Sequence, residues 1–303
     1  MRPVLEEMRR APVIEYEKIP LLDGRVIFDR LADVWNTPVP ELAGVRDFQV
    51  ASNSGPRRAR LFSPANARED ALIIHLHGGG WTYGSIESHA GASRLLAVES
   101  GISVVSLDYR LAPEHPAPAS VEDALACIDA ALAGAFGLRL TPGRIALAGD
   151  SAGANIALRT LVAMKQLGRP RLATAALFYG CFAPVFDTWS HQRYGDGAFG
   201  LSTGRMRWYW ANHLGPNAST DPVAAPLHAD LSGLPPLFLN VAGLDPLLED
   251  TLLLLRRLAE AGIHATFDLV PGVTHGFMRL TRAVPAARRA VETAGRYLGS
   301  ALT

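Results

Sequence analysis

Ile145, Ala146, Leu147, Ala148, Gly149, Asp150, Ser151, Ala152, Gly153 is a short apolar strand pattern that passes through a glycine-flanked serine into the helix-period segment 155–166. A strand that turns into a helix within so few residues strains the backbone at the serine and brings strand and helix close together, and glycine on both sides tolerates each. The pattern predicts an elbow that lifts the Ser151 hydroxyl to the carboxyl edge of a sheet, where it can act as a nucleophile. A glycine-rich turn with serine as helix cap uses the same residue types. What else the chain places at that edge decides between the two.

Residues 71–76, 103–107, 174–179, 237–241 and 265–270 repeat the short apolar or β-branched run, mostly with helix-period segments between them. Continuous apolar strands alternating with helices predict a parallel sheet covered on both faces. Residues 45–51 and 59–62, joined by Asn53, Ser54, Gly55 and Pro56, predict a hairpin leading into that sheet. Upstream, Pro3, Pro12 and Pro20 interrupt short amphipathic stretches, among them 25–35 with Val26, Ile27, Leu31, Val34 and Trp35 at helical spacing, which predicts an N-terminal helical flap. Between Cys181 and Leu231 the alternation fails, and Phe182, Phe186, Trp189, Tyr194, Phe199, Trp208, Tyr209 and Trp210 crowd one segment. The expected organisation is an N-terminal cap segment at 1–44 and a catalytic domain at 45–301, with a second cap segment inserted at about 182–220.

Composition narrows the partners. Lys plus Arg and Asp plus Glu are 29 each in 303 residues, so no strong field draws nucleic acid or membrane surfaces. The N-terminus carries Arg2, Glu6, Glu7, Arg9 and Arg10 rather than the apolar core of a signal peptide, and no later apolar run approaches membrane-spanning length. Cys127 and Cys181 lie far apart inside apolar segments, as small buried hydrophobes do, and the expected location is the cytoplasm.

His77, Gly78, Gly79, Gly80 and Trp81 follow directly on the run 71–76. Three glycines expose backbone N–H groups without side chains in the way, and with the amide of Ala152 they could bind a developing oxyanion. The absence of Gly-Lys-Ser/Thr rules out a phosphate loop, and His75 with His77 forms an H-x-H pair for which no further metal ligands are evident. A nucleophilic serine needs an oriented base. His275 stands in Pro271, Gly272, Val273, Thr274, His275, Gly276, Phe277, after the last strand pattern, whereas His264 begins that pattern. Asp245 falls right after the run 237–241, where it could orient a histidine, cap the next helix, or do both. Asp250 reads as a first-turn acid of that helix.

With Ser151, Asp245 and His275 in that order at strand ends, the chain resembles the hormone-sensitive-lipase-like family of bacterial esterases from about Val45 to Ala301. The likeness rests on His77 to Trp81, Gly149 to Gly153, the run Asp108 to Ala119, Asp245 with Pro246 and Leu247, and His275 with Gly276 and Phe277. The resemblance implies an α/β-hydrolase fold with a mostly parallel eight-stranded sheet, an antiparallel second strand and a helical cap. It implies hydrolysis of small-molecule carboxylic esters of short to medium chain length without cofactor or metal. It further implies an oxyanion hole from Gly78, Gly79 and Ala152, and a structural polar network beneath the elbow that includes Arg110 and Glu114. Asp150, before the serine, marks one subgroup.

Trp81, Asp150, Trp189, Trp208 and Trp210 are the candidate substrate-binding residues. Bulky rings over the serine favour acyl chains of roughly two to six carbons. An amidase or aryl formamidase could use the same triad, and receptor-like relatives lack the histidine that His275 supplies here. The edge strand near 265–270 is the expected contact of a homodimer.

Overall fold

The computed structural model describes residue 6 and residues 15–36, 39–215 and 224–303. Parts of the expected caps, 1–5, 7–14, 37–38 and 216–220, and the side chains of Val34 and Trp35 lie outside the described residues.

A single 3-10 turn, Tyr16–Lys18, and helix α1 (Leu21–Asn36) precede the sheet. Strands β1 (Gly44–Val50) and β2 (Arg57–Ser63) form the hairpin read from the sequence. The chain then alternates: β3 (Leu72–Leu76), α2 (Ala90–Ser100), β4 (Ser103–Leu107), α3 (Ala119–Leu132), β5 (Ile145–Asp150), α4 (Ala152–Gln166) and β6 (Thr174–Phe178). Two helices, α5 (Trp189–Tyr194) and α6 (Thr203–Leu214), interrupt the alternation where the aromatics crowd. It resumes with β7 (Leu237–Leu244), α7 (Leu248–Glu260), β8 (Ala265–Thr274) and α8 (Pro285–Ala301).

The sheet order is β1-β2-β4-β3-β5-β6-β7-β8. β2 runs antiparallel to both its neighbours and every other pairing is parallel. Alternate side chains of a strand point to opposite faces, and β3 shows this: Leu72, Ile74 and Leu76 join the core under α3, α4 and α7, whereas Ile73 joins the core under α2 and α8. α8 illustrates how a helix covers the sheet. Ala287, Ala290, Val291, Ala294 and Leu298 recur at helical spacing and are all buried, and Pro285 opens the helix where its missing N–H is harmless.

Parallel strands all present their carboxyl ends at one edge, and open α/β sheets bind ligands there. β3, β5, β7 and β8 therefore deliver the loops beginning at His77, Ser151, Asp245 and His275 to the same side. The β7–β8 ladder carries a register shift between Ala242 and Leu244 and then pairs Leu244 with Thr274, so Asp245 and His275 leave the sheet side by side. A bulge of this kind re-aims the strand end.

Candidate active site

Ser151 occupies the turn between β5 and α4 at φ 53° and ψ −118°. The strain is held by packing. A Cβ on Gly149 would collide with the backbone of Gly153, and one on Gly153 would collide with Leu76 O at the end of β3. Only glycine at both positions lets the elbow press against the strand that carries the triple-glycine loop. The Ser151 N–H donates to Phe178 O at 2.9 Å, which fixes the turn to β6 as well.

His275 Nε2 lies 2.9 Å from Ser151 Oγ, and His275 Nδ1 lies 2.8 Å from Asp245 Oδ2. With the Nδ1 proton donated to the carboxylate, Nε2 is left as an acceptor for the serine hydroxyl. Asp245 is fully buried, and its other oxygen accepts the Leu247 N–H at 2.9 Å. It thus both orients the imidazole and caps the turn into α7. Tyr179 packs edge-on against the imidazole with ring centroids 4.9 Å apart. The serine and the histidine remain in touch with solvent, with 7 % of Ser151 and 13 % of the His275 side chain exposed.

Among the described residues, the backbone N–H groups of Gly79 and Ala152 meet no acceptor. The Gly78 N–H is engaged: it donates to Asp150 Oδ1 at 2.8 Å. This corrects the set expected from sequence, because an amide held by a buried carboxylate is not free for an oxyanion.

Asp150 itself is not placed to touch substrate. It is 2 % exposed and lies under the elbow, its oxygens facing Gly78, His89 Nε2 at 3.4 Å and the Tyr179 hydroxyl at 3.2 Å. Burial alone would raise its pKa, but the field and hydrogen bond of His89, with His75 and Arg279 behind it, hold the carboxyl well below the usual carboxylate range. The Tyr179 hydroxyl in turn accepts the Met278 N–H at 3.2 Å, so one buried network ties the glycine loop, the elbow and the histidine loop together. Arg110 and Glu114, expected in this network, lie elsewhere: Arg110 pairs with Glu122 and Asp123, and Glu114 pairs with Arg25 of α1. Tyr179 and His89 replace them. No local motif marks those two; they are read only once β6 and α2 are in place.

The H-x-H pair is structural in its contacts. His75 Nδ1 meets Ser93 Oγ at 2.8 Å, and His77 Nδ1 donates to Gly78 O at 2.8 Å while its ring stacks on Tyr109. Burial lowers the two imidazoles to about 4 and about 3, so both are neutral. Among the described residues no group of three or more His, Cys, Asp or Glu side chains could hold a metal ion.

The cap tryptophans separate as the helix phase requires, about 100° per residue. Trp210 is buried against Trp81 at 4.7 Å, and Trp81 stacks on His213 at 4.0 Å. Both therefore clamp the glycine loop to α6 rather than lining an open wall. Tyr209 lies over Gly80, where a Cβ would strike its ring, and sequence reasoning left it out of the site. Trp208 is partly buried and stacks on Tyr83, which stacks on Phe28 of α1. Trp189 is 55 % exposed and packs edge-on to Tyr194.

Comparison with known proteins identifies the family. Residues 73–279 match the family model described as alpha/beta hydrolase fold. An acetyl-hydrolase of Streptomyces hygroscopicus is 36 % identical over 240 residues, covering 78 % of each chain. A carboxylesterase of Mycobacterium tuberculosis is 33 % identical over 246 residues, 80 % of this chain and 76 % of its own. The crystal structure of an esterase from the bacterial hormone-sensitive lipase family superposes with a TM-score of 0.88 at 29 % identity, covering 99 % of this chain and 96 % of that one. The chain belongs to the α/β-hydrolase fold family, in its hormone-sensitive-lipase-like branch of bacterial esterases.

Proposed function

We propose that this protein is a serine carboxylesterase in which Ser151 is the nucleophile, His275 the general base and acid, and Asp245 the group that orients the imidazole. The hydrogen-bonded line Asp245–His275–Ser151, at 2.8 and 2.9 Å, is the observation that carries the reading. Ser151 Oγ attacks the ester carbonyl as its proton passes to His275 Nε2, and Asp245 stabilises the imidazolium that results. The tetrahedral oxyanion takes the N–H groups of Gly79 and Ala152. Collapse breaks the ester C–O bond, with the imidazolium proton going to the departing alkoxide, and leaves an acyl-serine. Water then repeats the sequence with His275 as base, releasing the carboxylic acid and restoring Ser151.

The helices before the sheet and those between β6 and β7 act in this reading as the two cap segments, about 1–44 and 182–220, over a catalytic domain at 45–301. In this reading Tyr209, over Gly80, and Trp208 beside it bound the acyl path, which supports a preference for chains of roughly two to six carbons. Ser151→Ala should abolish hydrolysis of p-nitrophenyl butyrate while the fold persists, and an organophosphate should label Ser151 alone. Label at another residue, or turnover that survives the substitution, refutes the assignment. An N-formyl anilide run beside the acyl series separates ester from activated amide.

Balanced charge and two buried free cysteines favour a cytoplasmic setting, and among the described residues no helix is long and apolar enough to cross a membrane. The edge strand β8 exposes Phe267 and Leu269, 36 % and 49 %, which supports pairing with a second copy along this strand. Leu269→Lys should then lower the sedimentation mass; an unchanged mass refutes this contact.

A further inference from the structure

Arg279 lies four residues beyond His275, in the 3-10 turn Phe277–Leu280. Its guanidinium carbon stands 4.5 Å from the centroid of the Phe28 ring on α1. A Cβ placed on Gly276, next to the histidine, would lie 3.6 Å from Arg279 Nη2. The guanidinium is therefore on the side of the histidine loop that faces the N-terminal helix. Its positive field reaches the hydroxyls of Tyr16 and of Tyr209, the ring over Gly80. Arg279 thus stands where the histidine loop, the glycine loop, α1 and α6 meet.

Two other cations in this region, Arg25 and Arg205, are answered by carboxylates. Arg25 makes a fork on Glu114 at 2.9 and 2.8 Å. Arg205 lies over the Tyr16 ring and reaches Glu17 at 3.4 Å. Arg279 has a ring against its face but, among the described residues, no carboxylate within ion-pair distance and no hydrogen-bond acceptor. A partly buried guanidinium keeps its full charge, and the ring leaves its in-plane N–H donors unused. Those donors form the fork that matches a carboxylate with two parallel bonds.

We propose that Arg279 is a specificity-determining residue that pairs with an ionised carboxylate of the substrate, so that the preferred substrates are short-chain esters bearing a second, anionic carboxylate group. The inference rests on the esterase reading and narrows its substrate class to compounds such as half-esters of small dicarboxylic acids. In this proposal Phe28, whose ring centroid stands 4.5 Å from the guanidinium carbon, steadies Arg279 while its N–H fork takes the ligand carboxylate. The chain length between scissile carbonyl and carboxylate sets which half-ester fits.

The test follows acid release in a pH-stat from monoethyl succinate, glutarate and adipate, each beside the neutral ethyl ester of equal acyl length. In the wild type at least one half-ester should exceed its neutral partner in kcat/KM by about tenfold, a ratio that falls as salt is raised from about 0.05 to about 0.5 M. Arg279→Gln should lower that ratio by about tenfold or more, chiefly through KM, and remove its salt dependence, whereas Arg279→Lys should recover part of it.

A wild-type ratio at or below one for all three pairs overturns the proposal. So does a ratio that Arg279→Gln leaves unchanged while both classes and the melting temperature fall together, since Arg279 would then serve only Asp150 and Phe28. If Arg279→Gln does not fold, Arg279→Lys and the salt dependence of the wild type decide the same ratio. Neutral esters hydrolysed in a Ser151-dependent way with no anionic preference refute the proposal alone; hydrolysis of neither class refutes the esterase reading.

Discussion

Asp150→Asn tests whether the buried network under the elbow sets the catalytic geometry. The carboxylate accepts the Gly78 N–H at 2.8 Å with one oxygen and the Tyr179 hydroxyl at 3.2 Å with the other. Asparagine has one oxygen. If it stays on Gly78, the amide NH2 faces a tyrosine hydroxyl that already accepts the Met278 N–H, and the tyrosine proton loses its acceptor. A buried hydrogen bond to a charged group contributes about 1.5–3 kcal/mol. If that amount appears in the placement of the Gly79 amide and the histidine loop, the transition state loses it and the bound ester does not. The expected result is a fall in kcat of about 10- to 150-fold with KM changed by less than about threefold. Steady-state kinetics on p-nitrophenyl butyrate, with melting curves on the same samples, read both quantities. A kcat within about twofold of wild type alongside a lowered melting temperature would refute the reasoning, because the network would then support only the fold. An increase in kcat would refute it differently, by showing that a freed Gly78 amide joins the oxyanion hole.

Asp250, buried at the start of α7, accepts the Phe182 N–H at 3.0 Å, and burial, reinforced by the charges of Asp245 and Glu249, raises it to about 8. The unfolded chain ionises it near 4, so its penalty on the folded state is absent below about pH 4 and grows until about pH 8. Asp250→Asn keeps an oxygen for Phe182 and should raise the melting temperature at pH 8 by at least about 4 °C with little change at pH 4; equal shifts at both pH values refute the assignment. His75 and His77 run in the opposite sense. Their lowered values, about 4 and about 3, mean that the unfolded chain binds protons below about pH 6.5 that the fold excludes. Urea stability should therefore fall from pH 6.5 towards 4, and His75→Gln should make that slope shallower; an unchanged slope refutes it. Gly80→Ala, at φ +60° and against the Tyr209 ring, should reduce kcat sharply, and Tyr209→Ala in the same chain should restore part of it; no restoration would mean that backbone strain alone is responsible.

Much of this was legible from residues alone because the fold places its chemistry at strand ends. The run 103–107 is β4, and each of Ser151, Asp245 and His275 follows the last residue of a strand or comes directly after it, so order in sequence already fixed order along the sheet edge. What stayed hidden depends on direction rather than position. Asp150 is adjacent to Ser151 in sequence, which suggested contact with substrate, but successive strand residues face opposite sides and its carboxylate points under the elbow. The same applies on α6. Three consecutive rings were visible at 208–210, yet which one covers the glycine loop depends on the rotation of the helix, and it is Tyr209. Arg110 and Glu114 lie in the motif-rich run 108–119, but their partners Asp123 and Arg25 come from α3 and α1, which no local pattern connects to them.

The glycine loop is held from both sides, and this links specificity to rate. Below it, Asp150 holds Gly78, His77 Nδ1 donates to the Gly78 carbonyl, and the Tyr109 hydroxyl donates to His77 O at 2.7 Å. Above it, Trp81 stacks on His213 and meets the tilted ring of Trp210, and Tyr209 covers Gly80. A loop of glycines has little intrinsic preference for one conformation, so the positions of its amides depend on these clamps. Half of them come from α6, in the segment expected to choose the substrate. In the proposed mechanism, a change of ring on the inner face of α6 that alters the acyl path should therefore also shift the oxyanion donors. Trp208 stacks on Tyr83 and lies beside Tyr209 with ring centroids 5.3 Å apart, one ring removed from Gly80, so Trp208→Ala should shift the chain-length preference with a smaller loss in kcat than Tyr209→Ala; equal losses in the two variants would show that both rings hold the glycine loop.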